Sequence, residues 1–332
     1  MATLAIGNDA LEAELLPRLE LVEERLRDAV SQSDKLADTT SRHLVDAGGK
    51  RLRPVLTLLC AQLGDGSRPE VLDAAVVCEL THLATLYHDD VMDSAPTRRG
   101  APSAHEVWGN SVAILTGDLL FARASRVVAG LGPDAVRIQA ETFERLCLGQ
   151  LHETVGASEA DDAIAFYLQV LADKTGSLIA TSARLGAMFG GCPASVVAQV
   201  TEYGEAAGVA FQLADDVIDV RSDAATTGKT PGTDLREGVP TMPVLLLRRL
   251  VASGEASESD VALLSDIDGD LSSDDALASV VERLAAHAVV DRTAELAQEW
   301  ALRAKDAIAH LPESDASGAL RTFADALVAR AA

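Results

Sequence analysis

Two pentapeptides carry the strongest chemical signal in this 332-residue sequence: Asp89-Asp90-Val91-Met92-Asp93 and Asp215-Asp216-Val217-Ile218-Asp219. On a helix, positions i and i+4 share a face, so Asp89 projects beside Asp93 and Asp215 beside Asp219. Like charges at that spacing repel. Each pair also ends a helical stretch, where the macrodipole is already negative. A cation must offset this, and paired carboxylate oxygens suit a hard divalent ion that shares its coordination with substrate phosphates. One such cluster reads as a solvated acidic helix end. Two are harder to dismiss, because both follow apolar helical runs and both precede loops carrying Gly with Arg or Lys.

The basic residues complement the acids. Of the 28 basic residues only five are lysines, and three of those lie in short polar motifs: Gly48-Gly49-Lys50-Arg51-Leu52-Arg53-Pro54, Asp173-Lys174-Thr175-Gly176 and Gly228-Lys229-Thr230-Pro231-Gly232. Arg98-Arg99-Gly100 follows the first aspartate cluster directly. Cations beside metal-binding carboxylates suit a polyanionic substrate whose charge metal and side chains share. Each cation alone reads as a surface ion pair, and for Arg51 and Arg68 that is the preferred reading. The Gly48-Gly49-Lys50 stretch is not a phosphate-binding loop of the GxxxxGK[ST] type, since no strand precedes it.

Helices must position these groups. Apolar residues recur at three- and four-residue spacing from Leu11 to Leu26, and over roughly 34–47, 51–64, 69–94, 109–130, 133–155, 160–190 and 193–223. The pattern resumes near 240–252, 274–287, 288–310 and 316–330, with an acidic loop expected at Ser265–Asp275. Period-two alternation is scarce and Ala and Leu dominate, so the expected architecture is all-α, one domain over 1–332 with about a dozen helices. The formal net charge of −23 argues against a general nucleic-acid binder. Aromatics at 3% leave few rings for base stacking. No apolar run reaches spanning length, and four scattered cysteines with no CxxC pair fit a reducing cytoplasm.

The ordered set GGKRLRP (Gly48–Pro54), LxHDDxxD (Leu86–Asp93), RRGxPxxH (Arg98–His105), GDxL (Gly117–Leu120), DKTG (Asp173–Gly176), FQxxDDxxD (Phe211–Asp219) and GKxxGxDxxxGxxTxP (Gly228–Pro243) resembles the trans-isoprenyl diphosphate synthases over roughly residues 15–310. The end of the chain departs from that pattern: many members close with a short basic motif, whereas here the sequence ends Val328-Ala329-Arg330-Ala331-Ala332. The resemblance implies a single helical bundle whose two aspartate clusters face a central cavity. It implies head-to-tail addition of isopentenyl diphosphate to an allylic diphosphate, three Mg²⁺ ions and a homodimer, with a product that partitions to membranes. By the same resemblance, Asp89 and Asp93, with Asp90 nearby, bind Mg²⁺ on the allylic diphosphate. Asp215 binds a further Mg²⁺, supported by Asp216 and Asp219. Arg98, Lys174, Thr175, Gln212 and Lys229 contact the allylic substrate; Gly49, Lys50, Arg53, His82 and Arg99 hold isopentenyl diphosphate. Without the resemblance, His82 reads as a buried, satisfied histidine. Gln150 and Glu153 read equally as groups orienting the reacting end and as helix surface.

Two rivals stand beside this reading. A terpene cyclase is disfavoured by the scarcity of aromatic rings to steady internal cations and by the intact second cluster. A non-catalytic subunit is disfavoured because both clusters are complete. Product length rests on the helix that carries the first cluster. One turn before Asp89 stand Thr85 and Ala84, with Thr81, Cys78 and Val77 deeper. In short-chain relatives a bulky aromatic near this offset closes the tunnel. Here the residues are small, which predicts a long product of roughly six to ten isoprene units at about one unit per helical turn. The alternative is a shorter farnesyl or geranylgeranyl product, with Phe121 or Phe143 blocking the tunnel.

Overall fold

The computed structural model describes residues 6–158, 160–221 and 231–329. Sixteen α-helices run through these residues: α1 Asp9–Val30, α2 Lys35–Asp46, α3 Leu52–Ala61, α4 Glu70–Met92, α5 Ala104–Trp108, α6 Asn110–Ala129, α7 Pro133–Val155, α8 Ala163–Leu171, α9 Ser177–Phe189, α10 Ala194–Arg221, α11 Thr233–Arg236, α12 Met242–Ser253, α13 Glu258–Ile267, α14 Asp274–Ala285, α15 Ala288–Ala307 and α16 Asp315–Val328. The only strands among them are β1, Thr97–Arg98, and β2, Ala101–Pro102, a short antiparallel pair. The all-α expectation holds. Backbone contacts group the chain into two compact units, whose boundaries fall inside α7, α10, α15 and α16 and at the start of α9. No helix among the described residues is long and apolar enough to cross a membrane.

The first unit comprises residues 1–147, 177–205 and 305–323, and α4 is its axis. Its sequence from Val71 to Tyr87 is apolar on nearly every face, so the helix is buried all round, against α1, α3, α6 and α9. Ala74, Val77 and Cys78 pack with Val128, Ala135, Ile138 and Leu185 in one apolar cluster. Only the C-terminal turn of α4 becomes polar. It ends at Asp93, whose N–H bonds the Asp89 carbonyl at 2.8 Å, and its last turn holds no basic residue.

The second unit comprises residues 148–176, 206–304 and 324–332. Val209, Leu213 and Ala214 of α10 pack with Ile164, Tyr167, Leu171, Met242 and Leu245. Val217 and Val220 pack into a neighbouring cluster with Val244, Leu247, Leu277, Val280 and Leu284. These contacts orient the acidic end of α10.

Three local readings change. The stretch expected as one helix over 160–190 is α8 and α9 joined by a π-turn, Ala172–Gly176, that contains Asp173-Lys174-Thr175-Gly176. Helix α13 forms where none was expected, started by a capping box in which Ser257 and Asp260 satisfy each other's backbone N–H groups. Its end and the start of α14 take up part of the acidic Ser265–Asp275 stretch, leaving the loop at 268–273. Finally, the loop after the first aspartate cluster is folded by the β1–β2 pairing.

Candidate active site

In the first unit, α4 presents Asp89 half-buried, Asp90 fully buried and Asp93 exposed. The Arg98 Nε donates to Asp90 Oδ1 at 2.6 Å, while Asp90 Oδ2 is buried with no hydrogen-bond partner. The chain reaches this pairing by turning sharply after α4. Ala95 N–H bonds the Asp90 carbonyl at 3.0 Å, and the β1–β2 pair brings Arg98 and Arg99 back toward α4.

The glycine–lysine–arginine segment lies in the same unit. Gly48 and Gly49 take φ of 78° and 149°, and Arg51 starts α3 at φ 51°. A Cβ on Gly49 would lie 2.8 Å from Arg99 Cζ, so only glycine permits this approach. Arg99, itself at φ 54°, donates to the carbonyls of Leu44, at 2.9 Å, and of Gly48. Arg51 is not the surface pair expected. It is buried, bonded to Glu23 and, at 2.9 Å, to Glu79, which is 1% exposed. Burial works to lower the Arg51 pKa, but the two carboxylates outweigh it and raise it. Arg53 and Arg99 are held below the ordinary arginine value, chiefly by burial. Arg53 Nε is buried without a hydrogen-bond partner. Burial and then the positive field of Arg53, Arg99, Arg98 and Arg51 hold His82 well below the usual histidine range, so it stays neutral. An uncharged imidazole among four guanidinium groups marks a region of positive potential suited to an anion. Lys50 lies exposed beside it.

The second cluster has a different setting. Asp216 is 4% exposed and accepts from the Tyr167 hydroxyl at 3.1 and 3.0 Å and from the Met242 N–H at 3.2 Å. Burial, then the nearby Asp234 charge, push its carboxyl well above the usual carboxylate range, and Tyr167 is pushed up as well, chiefly by burial. Asp215, Asp219 and Gln212 are half-buried on α10. The Asp219 carbonyl accepts from Gly232 N–H at 2.8 Å, and its carboxylate from Asp234 N–H at 3.4 Å. On the π-turn, Lys174 bonds Glu153 of α7, Thr175 is buried, and Asp173 accepts from Gln169 at 2.8 Å. Gly149 of α7 makes room for this turn, since a Cβ there would lie 2.7 Å from the Lys174 nitrogen. Lys229 lies outside the described residues.

Both clusters suit divalent cations. Their donors are hard carboxylate oxygens, and among the described residues no three acidic, histidine or cysteine side chains close a cage by themselves. That is the donor set for an ion completed by substrate phosphate oxygens. A cation would satisfy the buried Asp90 Oδ2 and would favour the ionised form of Asp216, which burial and Asp234 oppose.

Glu79, Glu23 and Tyr167 are the participants the sequence reading passed over, while Asp234 stood in the GKxxGxD motif without an assigned role. Glu79 had a signal: a lone carboxylate in the apolar run from Ala74 to Leu83 is affordable only when paired. Tyr167 had none, because an aromatic in an apolar helix reads as core.

The positions expected to set product length separate on α4. Ala84 and Thr81 are buried, Thr81 with its hydroxyl on the Val77 carbonyl at 2.8 Å. Thr85 is half-buried, its hydroxyl on the His82 carbonyl at 2.8 Å. Phe121 and Phe143 pack against each other at a tilt of 49°, ring centroids 4.1 Å apart.

An all-α chain with two carboxylate-rich helix ends and a cluster of partly desolvated arginines defines an enzyme class that handles diphosphates with divalent metal. The polyprenyl synthetase family model matches residues 34–282, well over half the chain, and the chain belongs to that family of prenyltransferases. It is 42% identical over 331 residues to the nonaprenyl diphosphate synthase of Mycobacterium tuberculosis, covering 99% of this chain and 97% of that one. Its fold matches a polyprenyl synthase from Caulobacter crescentus CB15 complexed with calcium and isoprenyl diphosphate, with TM-score 0.89, 31% identity and 98% of each chain covered. It also matches a geranylgeranyl pyrophosphate synthase from Corynebacterium glutamicum, complexed with the same two ligands, with TM-score 0.85, 40% identity and 98% of each chain covered.

Proposed function

We propose that this chain is an all-trans polyprenyl diphosphate synthase that condenses isopentenyl diphosphate head-to-tail onto an allylic diphosphate, with Mg²⁺, to a product of roughly six to ten isoprene units. In this reading Asp89 and Asp93, with Asp90 beside them, and Asp215, with Asp216 and Asp219, hold the ions, three in all. When bound, these neutralise the charge that grows on the departing diphosphate oxygen. Arg98, Lys174, Thr175, Gln212 and Lys229 hold the allylic diphosphate. Lys50, Arg53, Arg99, neutral His82 and the open backbone at Gly49 hold isopentenyl diphosphate. The released diphosphate takes the proton lost at the end of each cycle, so no side-chain base is assigned.

The observation that carries the long product is the small set Thr81, Ala84 and Thr85 on α4, with no ring to close a tunnel at that depth; the 42% identity to a nonaprenyl synthase supports it. A geranylgeranyl product is the second reading, favoured by the Phe121–Phe143 pair and by the 40% identity to the Corynebacterium enzyme. Chromatography of products from radiolabelled isopentenyl diphosphate with each allylic starter decides between them. A geranylgeranyl endpoint refutes the long-chain reading. Thr85→Phe is the cleaner chain-length variant, because Thr85 is half-buried whereas Ala84 is fully buried. It shortens the product to about four units if one filled turn stops growth.

The whole chain, in this reading, works as one domain and as a cytoplasmic homodimer. Exposed Ile114 and Leu115 on α6, and Leu148, Leu151 and Val155 on α7, support the dimer. Sedimentation velocity tests it, with a monomer as the contrary result.

A further inference from the structure

The GDxL segment, Gly117–Leu120, has no part in the roles above, yet it packs against the residue that precedes the first aspartate cluster. His88 immediately precedes Asp89, and its ring is seated against α6 at Gly117. A Cβ on Gly117 would lie 2.4 Å from His88 Nε2 and 2.6 Å from Cδ2, so any side chain there would eject the ring. Nε2 lies 3.1 Å from the Ile114 carbonyl oxygen and 3.3 Å from Asp118 Oδ1. Both are acceptors, so Nε2 carries the proton. The Phe121 ring closes the seat, its centroid 5.9 Å from the imidazole.

The end of α4 needs such a tether. Its last turn holds Asp89 and Asp90 and no basic residue, at the negative end of a 23-residue helix. Repulsion between the carboxylates favours fraying of this turn. Arg98 offsets the charge of Asp90 from one side. On the other side an N–H bond from His88 to α6 fixes the rotation of the helix one residue before the cluster. Groups that orient metal-binding side chains from one layer back have large effects on affinity.

We infer that His88, seated in the Gly117 notch, is a positioning residue that holds Asp89 and Asp93 in register for the divalent ion and diphosphate. This rests on the proposed function for its consequence but on the apo geometry for its existence, and the test separates the two. Amide hydrogen exchange over residues 89–95 is measured without metal, and Mg²⁺–pyrophosphate binding is measured by calorimetry. His88→Ala speeds exchange over 89–95 and weakens Mg²⁺–pyrophosphate binding, each roughly tenfold. His88→Gln, whose amide nitrogen can reach the Ile114 carbonyl, keeps most of both. Gly117→Ala matches His88→Ala, and combining the two adds little further loss, because the ring is already displaced. Unchanged exchange in His88→Ala overturns the inference, as does a His88→Gln variant no better than His88→Ala. Both readouts on the His88 variants decide it even if Gly117→Ala fails to fold. Failure of wild-type protein to bind Mg²⁺–pyrophosphate refutes the proposed function, while the exchange data still decide the tether.

Discussion

The middle aspartates of the two clusters share a sequence setting and little else. Asp90 is fully buried and bonded to an arginine at 2.6 Å. Asp216 is almost as buried, but its partners are a tyrosine hydroxyl and a backbone N–H, both uncharged, and Asp234 lies close enough to oppose its ionisation. The middle carboxylate of the first cluster therefore has a protein cation bonded to it, whereas the hydrogen-bond partners of Asp216 are all neutral. A repeated motif fixes which atoms can meet a metal. The neighbours that fold against it fix how much positive charge the protein itself sets beside those atoms.

Removing a carboxylate that touches the ion breaks the comparison most severely, since both clusters then fail alike. Asp89→Ala and Asp215→Ala each lower kcat/KM by about a thousandfold or more, with helical circular dichroism retained. Near-normal turnover in either variant removes the metal role at that cluster.

The middle positions should diverge in stability. Asp90→Asn leaves Arg98 without its counter-charge in a buried site and costs about 2 kcal/mol in urea unfolding without metal. Asp216→Asn keeps one oxygen able to accept from both Tyr167 and Met242 and relieves the repulsion from Asp234, so it stays within about 1 kcal/mol of wild type. Equal losses would erase the difference between the clusters.

A smaller effect concerns the arginine-rich region of the first unit. His82 has a depressed folded-state pKa, whereas the unfolded chain takes up a proton as pH falls below about 6.5. The folded state then binds fewer protons than the unfolded one. Its stability is complete above that pH and is lost as pH falls, by up to about 1.4 kcal/mol per pH unit from this group. Urea titrations between pH 7.5 and 5.5 should show a shallower loss in His82→Gln than in wild type. Identical slopes would mean that His82 is not held neutral by the surrounding arginines.

Much of this was legible in the residues. The i, i+4 aspartates, the cations beside them and the helical periodicity identified the two carboxylate-rich helix ends and the all-α class. The spacing of Gly49 and Arg99 within their motifs could not show that the glycine makes room for the arginine, because that depends on the β1–β2 turn. Glu79 and Glu23 were hidden because pairing across distant segments leaves no local pattern. The π-turn at Asp173–Gly176 reads as uninterrupted helix, since one extra residue in a turn does not disturb an apolar stripe over 160–190. Helix α13 was obscured by the acidic composition around it, although Ser257 and Asp260 three residues apart are a start signal.

The most direct test of the account is thermal unfolding with Mg²⁺ and pyrophosphate, separately and together. If the clusters are repulsive helix ends relieved by a metal that shares its coordination with diphosphate, the two ligands together raise the melting temperature by more than the sum of their separate shifts. Simple additivity, or no shift with both present, would contradict it.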